Sequence, residues 1–226
     1  MKSIFLHIGT HRTGTTSLQA YLGRRRTLLN ASDFAFYRGG FMPNNHIELH
    51  AAALRAERDT PFRHYARIAD IERLRRRTEQ RIGAFLERVP QQNLIFSAEG
   101  LTYLRHDDEV AYLATLLSPA QTTVIVYLRN RTEFLRSYKR QMLLMHLPLS
   151  AEKDHYAYCE PDSWLVDYDA LIAAYTRHYS DIRVLNYDEI SARDRSIIPS
   201  FAKEIGWRDY DAAGTRLFLN VSRKPL

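Results

Sequence analysis

The chain has 226 residues, 45% of them hydrophobic and 26% charged, with a formal net charge of +6. That length fits a single large domain with a real core, and that composition excludes a chain disordered throughout. The single cysteine, Cys159, excludes an internal disulfide and a four-cysteine zinc site. No apolar run reaches the roughly 20 residues that cross a bilayer, and Met1 to His7 holds too short an apolar stretch for a secretory signal. These features predict a reducing compartment, the cytoplasm. The basic balance favours anionic partners: nucleotides, phosphates, acidic glycans, nucleic acid or a membrane surface. Two basic clusters, Arg24-Arg25-Arg26 and Arg73-Leu74-Arg75-Arg76-Arg77, read as solvated helix faces, because no nucleic-acid motif accompanies them.

In chain order, Ser3 to Ile8 predicts a short buried strand ended by a glycine turn. The spacing of Leu18, Tyr21, Leu22, Leu28 and Leu29 predicts a helix over Thr15 to Leu29. Phe34 to Tyr37 predicts a second strand, and Ile47 to Glu57 a helix approached through Pro43-Asn44-Asn45. A long amphipathic helix is expected from Arg63 to Val89, stopped by Pro90. Asn93 to Ser97 and Thr122 to Leu128 predict strands, the latter almost wholly β-branched or aromatic and suited to the centre of a parallel sheet. Helices follow at Glu133 to Leu144 and Tyr168 to Tyr179, a strand at Ile182 to Leu185, and a last helix at Ile197 to Ile205. Ser150 to Ser163 reads as a long polar surface loop able to line a site. The alternation predicts one α/β domain over residues 1–226: three layers, with a mainly parallel sheet flanked by helices.

The segment Gly9-Thr10-His11-Arg12-Thr13-Gly14-Thr15-Thr16-Ser17 lies between the first strand and the first helix, where an open parallel sheet offers a phosphate-binding turn. Glycines allow close backbone approach, and the first amides of a helix lack intrahelical partners. Thr15, Thr16 and Ser17 add hydroxyls, and Arg12 a permanent cation. The spacing is nearly that of G-x-x-x-x-G-K-[ST], but Thr15 stands where the lysine belongs and the cation sits inside the loop. An ATPase or GTPase needs that lysine on its terminal phosphates, with a metal beside it.

His7 to Gln19 resembles the 5′-phosphosulfate loop of sulfotransferases that use 3′-phosphoadenosine 5′-phosphosulfate (PAPS), a loop commonly written [KR]-[ST]-G-T-[ST] directly after a strand. A second segment resembles the family's 3′-phosphate site: Arg129 ends the strand Val124 to Leu128, and Ser137 follows eight residues later in a helix. The family's usual proline two residues after that arginine is Arg131 here. The resemblance implies a P-loop NTPase-like sulfotransferase fold and transfer of a sulfuryl group from PAPS to an acceptor, leaving adenosine 3′,5′-bisphosphate (PAP). It implies that Arg12, Thr13, Gly14, Thr15, Thr16, Ser17, Arg129 and Ser137 hold the nucleotide, with no metal required. The implied acceptor is a hydroxyl on a carbohydrate or other small molecule, including a glycolipid at a membrane surface, and not a nucleic acid.

His46 and Glu99 are the main candidates for the base that takes the acceptor proton, with Glu48, beside His46, a third. His46, in Asn44-Asn45-His46-Ile47-Glu48, has an ordinary pKa suited to proton abstraction. Glu99 follows the strand Asn93 to Ser97, at the sheet end that faces such sites. His11 is expected to face the acceptor, and Leu219 to Lys224 resembles the segment that closes over the nucleotide in related enzymes. The alternative readings are a P-loop kinase or NTPase, a nucleotide-binding protein without sulfuryl transfer, and a basic nucleic-acid-binding module.

Overall fold

A computed structural model describes residues 1–215. Five strands form one sheet: β1 (Ser3–Gly9), β2 (Phe34–Phe36), β3 (Asn93–Ser97), β4 (Gln121–Leu128) and β5 (Asp181–Asn186). Their order is β2-β3-β1-β4-β5, and every neighbouring pair is parallel. β1 is therefore central, with Leu6 opposite Phe96 on one side and Val124 on the other. A central parallel strand is covered on both faces, which explains why β1 and β4 read as nearly continuous apolar runs.

Alternate residues of each strand enter two different cores. Ile4, Leu6, Ile8, Leu94, Phe96, Val124 and Val126 pack on one face. They meet α3 (Ile47–Ala53), α5 (Ile71–Arg88), α6 (Asp107–Leu117), α7 (Arg131–Leu144) and α8 (Tyr168–Thr176). Ile95, Ile125 and Tyr127 point the other way, onto α1 (Thr15–Arg24), α2 (Arg26–Ala31), α9 (Tyr187–Asp194) and α10 (Ile198–Glu204). The result is the expected three-layer α/β architecture. Among the described residues, no helix is long and apolar enough to cross a membrane.

Several expected elements take a different form. The long helix over 63–89 is two helices, α4 (Pro61–Ala66) and α5. Each has its own start: Thr60 Oγ1 accepts from the Arg63 amide at 3.3 Å with Pro61 in the first turn, and the Asp70 carboxylate accepts from the Arg73 amide at 2.8 Å. Arg67, at φ 46°, turns the chain between them. The helix expected over 15–29 breaks at Arg25 into α1 and α2. The helix expected to reach Glu57 ends at Ala53, where buried Arg63 donates to the carbonyls of Ala51 and Leu54 at 2.7 and 2.8 Å and satisfies the helix end. α6 and α9 were not expected. Both start on acidic first turns, and Asn186 caps α9 by accepting from the amides of Asp188 and Glu189.

The segment from Ser150 to Ser163 is not simply a polar surface loop: Tyr156, Ala157, Tyr158 and Cys159 are buried, and Tyr138 Oη donates to the Tyr156 carbonyl at 3.1 Å. The expected closing segment, Leu219 to Lys224, lies outside the described residues.

Candidate active site

Because all five strands run parallel, their C-terminal ends share one edge of the sheet, and the segments after β1, β3, β4 and β5 converge there. The turn after β1 is laced to β4: the Thr10 amide donates to the Tyr127 carbonyl at 2.9 Å, and Thr10 Oγ1 donates to the same oxygen at 3.1 Å. Thr13 Oγ1 donates to the Thr10 carbonyl at 2.6 Å. The Thr13 hydroxyl is thus spent inside the turn, and Thr13 does not line the cavity described below. Gly9 has φ +99°, and a Cβ there would come within 2.9 Å of Glu99 Cα, so only glycine lets the turn lie against the end of β3. Gly14, at φ +80°, is the residue before α1. The Leu18 amide is the one that reaches back to the Gly14 carbonyl. By helix geometry the amides of Thr15, Thr16 and Ser17 have no intrahelical acceptor.

These amides open on a cavity of about 200 Å³. Arg12, Gly14, Thr15, Thr16, Ser17, Glu99 and Arg129 all line it, and its far wall is Tyr187, Ser191, Arg195, Ser196 and Ile197. Arg12 Nε donates to Ser137 Oγ at 2.9 Å, and Arg129 Nη1 donates to the Arg12 carbonyl at 3.3 Å. The two arginines expected from separate motifs therefore meet at one place, with Ser137 behind them. Burial and the Arg129 charge both push the Arg12 pKa down. An arginine stays protonated regardless, so an anion entering this cavity would be favoured. Arg129 Nε is buried without a hydrogen-bond acceptor: Asp188 Oδ1 stands off from it at 3.8 Å, and Glu133 Oε2 lies 3.7 Å from Nη2.

The Glu99 carboxylate is held on both oxygens. Gln19 Nε2 donates to Oε2 at 2.9 Å, and Asn45 Nδ2 donates to Oε1 at 3.1 Å. Gln19 also reaches Ser97 Oγ at 3.2 Å, which pairs with His7 Nδ1 at 2.8 Å. Beside Glu99, His11 packs against the rings of Tyr103 and Tyr138 at 4.8 and 5.4 Å. Burial pushes its pKa down to about 4, with Glu99 opposing and Arg12 adding to the shift, so the imidazole is neutral at pH 7.

His46 does not fit the part of base. It is fully buried, its Nε2 donates to the Tyr37 carbonyl at 2.9 Å, and its Nδ1 accepts from the Ser97 amide at 3.0 Å. Those two bonds fix the neutral tautomer, tie the end of β2 to the end of β3, and leave no lone pair for an acceptor proton. Burial holds its pKa near 3. Sequence alone shows neither partner, and therein lies the error.

The far wall of the cavity was also missed. Tyr187 had a signal in its place directly after a strand. Ser191, Arg195 and Ser196 had none, because they belong to a helix and turn that only the fold brings over α1.

No protein-family model matches the sequence, and no curated protein matches it. Solved structures do match the fold. A sulfotransferase from Alicyclobacillus acidocaldarius aligns over 91% of this chain and 81% of its own, with a TM-score of 0.55 and 16% identity. A sulfotransferase domain from the curacin biosynthetic pathway aligns over 91% of this chain and 74% of its own, with a TM-score of 0.51 and 10% identity. The fold is therefore of the sulfotransferase type.

Proposed function

We propose that this chain transfers the sulfuryl group of PAPS to an acceptor hydroxyl on a carbohydrate. The observation that carries the reading is the meeting of Arg12 and Arg129 at one cavity that also receives the free amides of α1. Two cations, a glycine-led helix start and an unpaired buried guanidinium N–H on Arg129 suit a ligand with phosphates at two ends. Such a donor supplies an activated sulfuryl group and a phosphate leaving group.

The chain's own residues then divide the work. Arg12 and the amides of Thr15 to Ser17 stabilise charge on the leaving oxygens, in a site where such donors are already oriented. Arg129 and Ser137 hold the ribose phosphate and so fix the register of the nucleotide. Glu99, pinned by Gln19 and Asn45, takes the acceptor proton. His11 walls that side as an uncharged ring.

A thermal-shift panel tests the reading. PAP alone should raise the melting temperature, whereas ATP with magnesium and GTP should not. An equal shift with ATP and magnesium would favour a kinase or NTPase and sink the proposal.

A further inference from the structure

Helix α5 carries three exposed arginines, Arg73, Arg77 and Arg81, at successive i, i+4 positions. They form one ridge with steps of about 6 Å. Like charges at this spacing oppose one another, at about 0.2–0.5 kcal/mol per pair. Among the described residues, no carboxylate forms an ion pair with any of the three. The acids at the start and middle of the helix are committed on its other side: Glu72 pairs with Arg75 at 3.0 Å, and Glu79 accepts from Tyr112 Oη at 3.0 Å. Asp70 is the cap. Among the described residues, the side chains of Arg73 and Arg77 have no ion pair or hydrogen bond. The fold gains no polar contact from the Arg73 and Arg77 side chains.

The ridge leads to the active site. Its last member, Arg81, lies against Gly40, where an added Cβ would come within 3.0 Å of Arg81 Nε, and it donates to the Arg38 carbonyl at 3.3 Å. The segment from Arg38 then runs through half-exposed Phe41 to Asn45, whose amide holds Glu99. Cations in a line, then an exposed aromatic ring, then the carboxylate form a track with one end at the reacting centre.

We infer that α5 is the docking ridge for an extended polyanionic carbohydrate, a uronate-bearing or already sulfated glycan, whose hydroxyl is presented to Glu99. The inference rests on the sulfuryl-transfer reading and names the class of acceptor. A linear polymer matches a linear row of charges. A bilayer calls for a broad apolar face, and nucleic acid brings no motif to meet it. Phe41, 53% exposed and packed edge-on with Phe62 at 5.1 Å, leaves part of an aromatic ring open to a sugar.

The test is binding of a fluorescent heparin-derived oligosaccharide, read by anisotropy across a salt series without nucleotide. Wild type should bind it and not a neutral dextran oligosaccharide. Arg73→Gln/Arg77→Gln should bind about tenfold more weakly, with the slope of log K against log salt reduced by about two. Arg73→Lys/Arg77→Lys should keep most of the affinity, and PAP affinity should be unchanged in both. Equal affinity of the glutamine variant for the glycan, binding of dextran as tight as heparin, or tighter binding of phosphatidylserine vesicles or duplex DNA would overturn the inference. Loss of PAP binding in the wild type would sink the donor reading alone, because the glycan titration contains no nucleotide.

Discussion

Arg12 Nε donates to Ser137 Oγ at 2.9 Å, joining the turn after β1 to the second turn of α7 across 125 residues of sequence. The bond holds the guanidinium in place without a ligand, so in the proposed reaction the cation would not have to be ordered. Removing the cation is the larger insult. Arg12→Ala should lower turnover with PAPS by about 10²–10³-fold. Ser137→Ala should weaken PAP binding measured by calorimetry, since it keeps the Arg12 charge but removes the hydroxyl that holds it. Near-normal turnover in Arg12→Ala would count against the assignment.

Glu99→Gln keeps the shape of the carboxylate and removes its basicity. Turnover should fall by about 10²–10⁴-fold, while PAP affinity stays at the wild-type value, because the proposed reaction puts Glu99 on the acceptor side. A variant that loses nucleotide binding instead would show that Glu99 supports the turn and takes no proton.

Gly9→Ala tests the packing of the turn on β3. The methyl group meets Glu99 Cα at 2.9 Å, and φ +99° is strained for any other residue. Denaturant unfolding should show a loss of about 1–3 kcal/mol. A variant as stable as wild type would mean that the turn relaxes freely.

The buried histidines predict an acid-side loss of stability. His7, His46 and His50 are buried, and burial holds each pKa near 3 against 6.5 in the unfolded chain. Between those values the unfolded state binds more protons than the folded one, so stability is full above about pH 6.5 and falls as the pH drops toward 3. Each histidine contributes a slope of up to about 1.4 kcal/mol per pH unit. Urea unfolding at a series of pH values should show this, and His46→Gln should remove about one proton from the uptake. A flat stability curve from pH 7 to pH 4 would contradict the burial of these rings.

How far the sequence foretold the molecule depends on the range of the forces involved. Strands β1 and β4 were legible because a doubly covered strand leaves an unbroken apolar run. The turn at Gly9 to Ser17 was legible because glycines and hydroxyls between a strand and a helix have few other uses. The split of the helix over 63–89 was hidden, because Tyr65, Ile68, Ile71 and Leu74 keep helical spacing straight across Arg67, and only the caps at Thr60 and Asp70 betray two beginnings. His46 looked reactive in sequence and is a brace in the fold, since a histidine's role is set by what meets its two nitrogens. Arg195 could not be placed on the cavity at all, because nothing local relates the end of α9 to the start of α1.

The lacing of Thr10 to Tyr127 has a consequence for how this site can evolve. β1 and β4 are adjacent strands paired from Ser3 up to Gly9, and the Thr10 amide adds one last rung beyond. The points at which the segments carrying Arg12 and Arg129 leave the sheet are therefore fixed on neighbouring strands, which lie about 4.8 Å apart. Insertions near Arg195 or Phe41 can reshape what enters the cavity. The spacing of the two strand ends that lead to Arg12 and Arg129 can change only by breaking the centre of the fold.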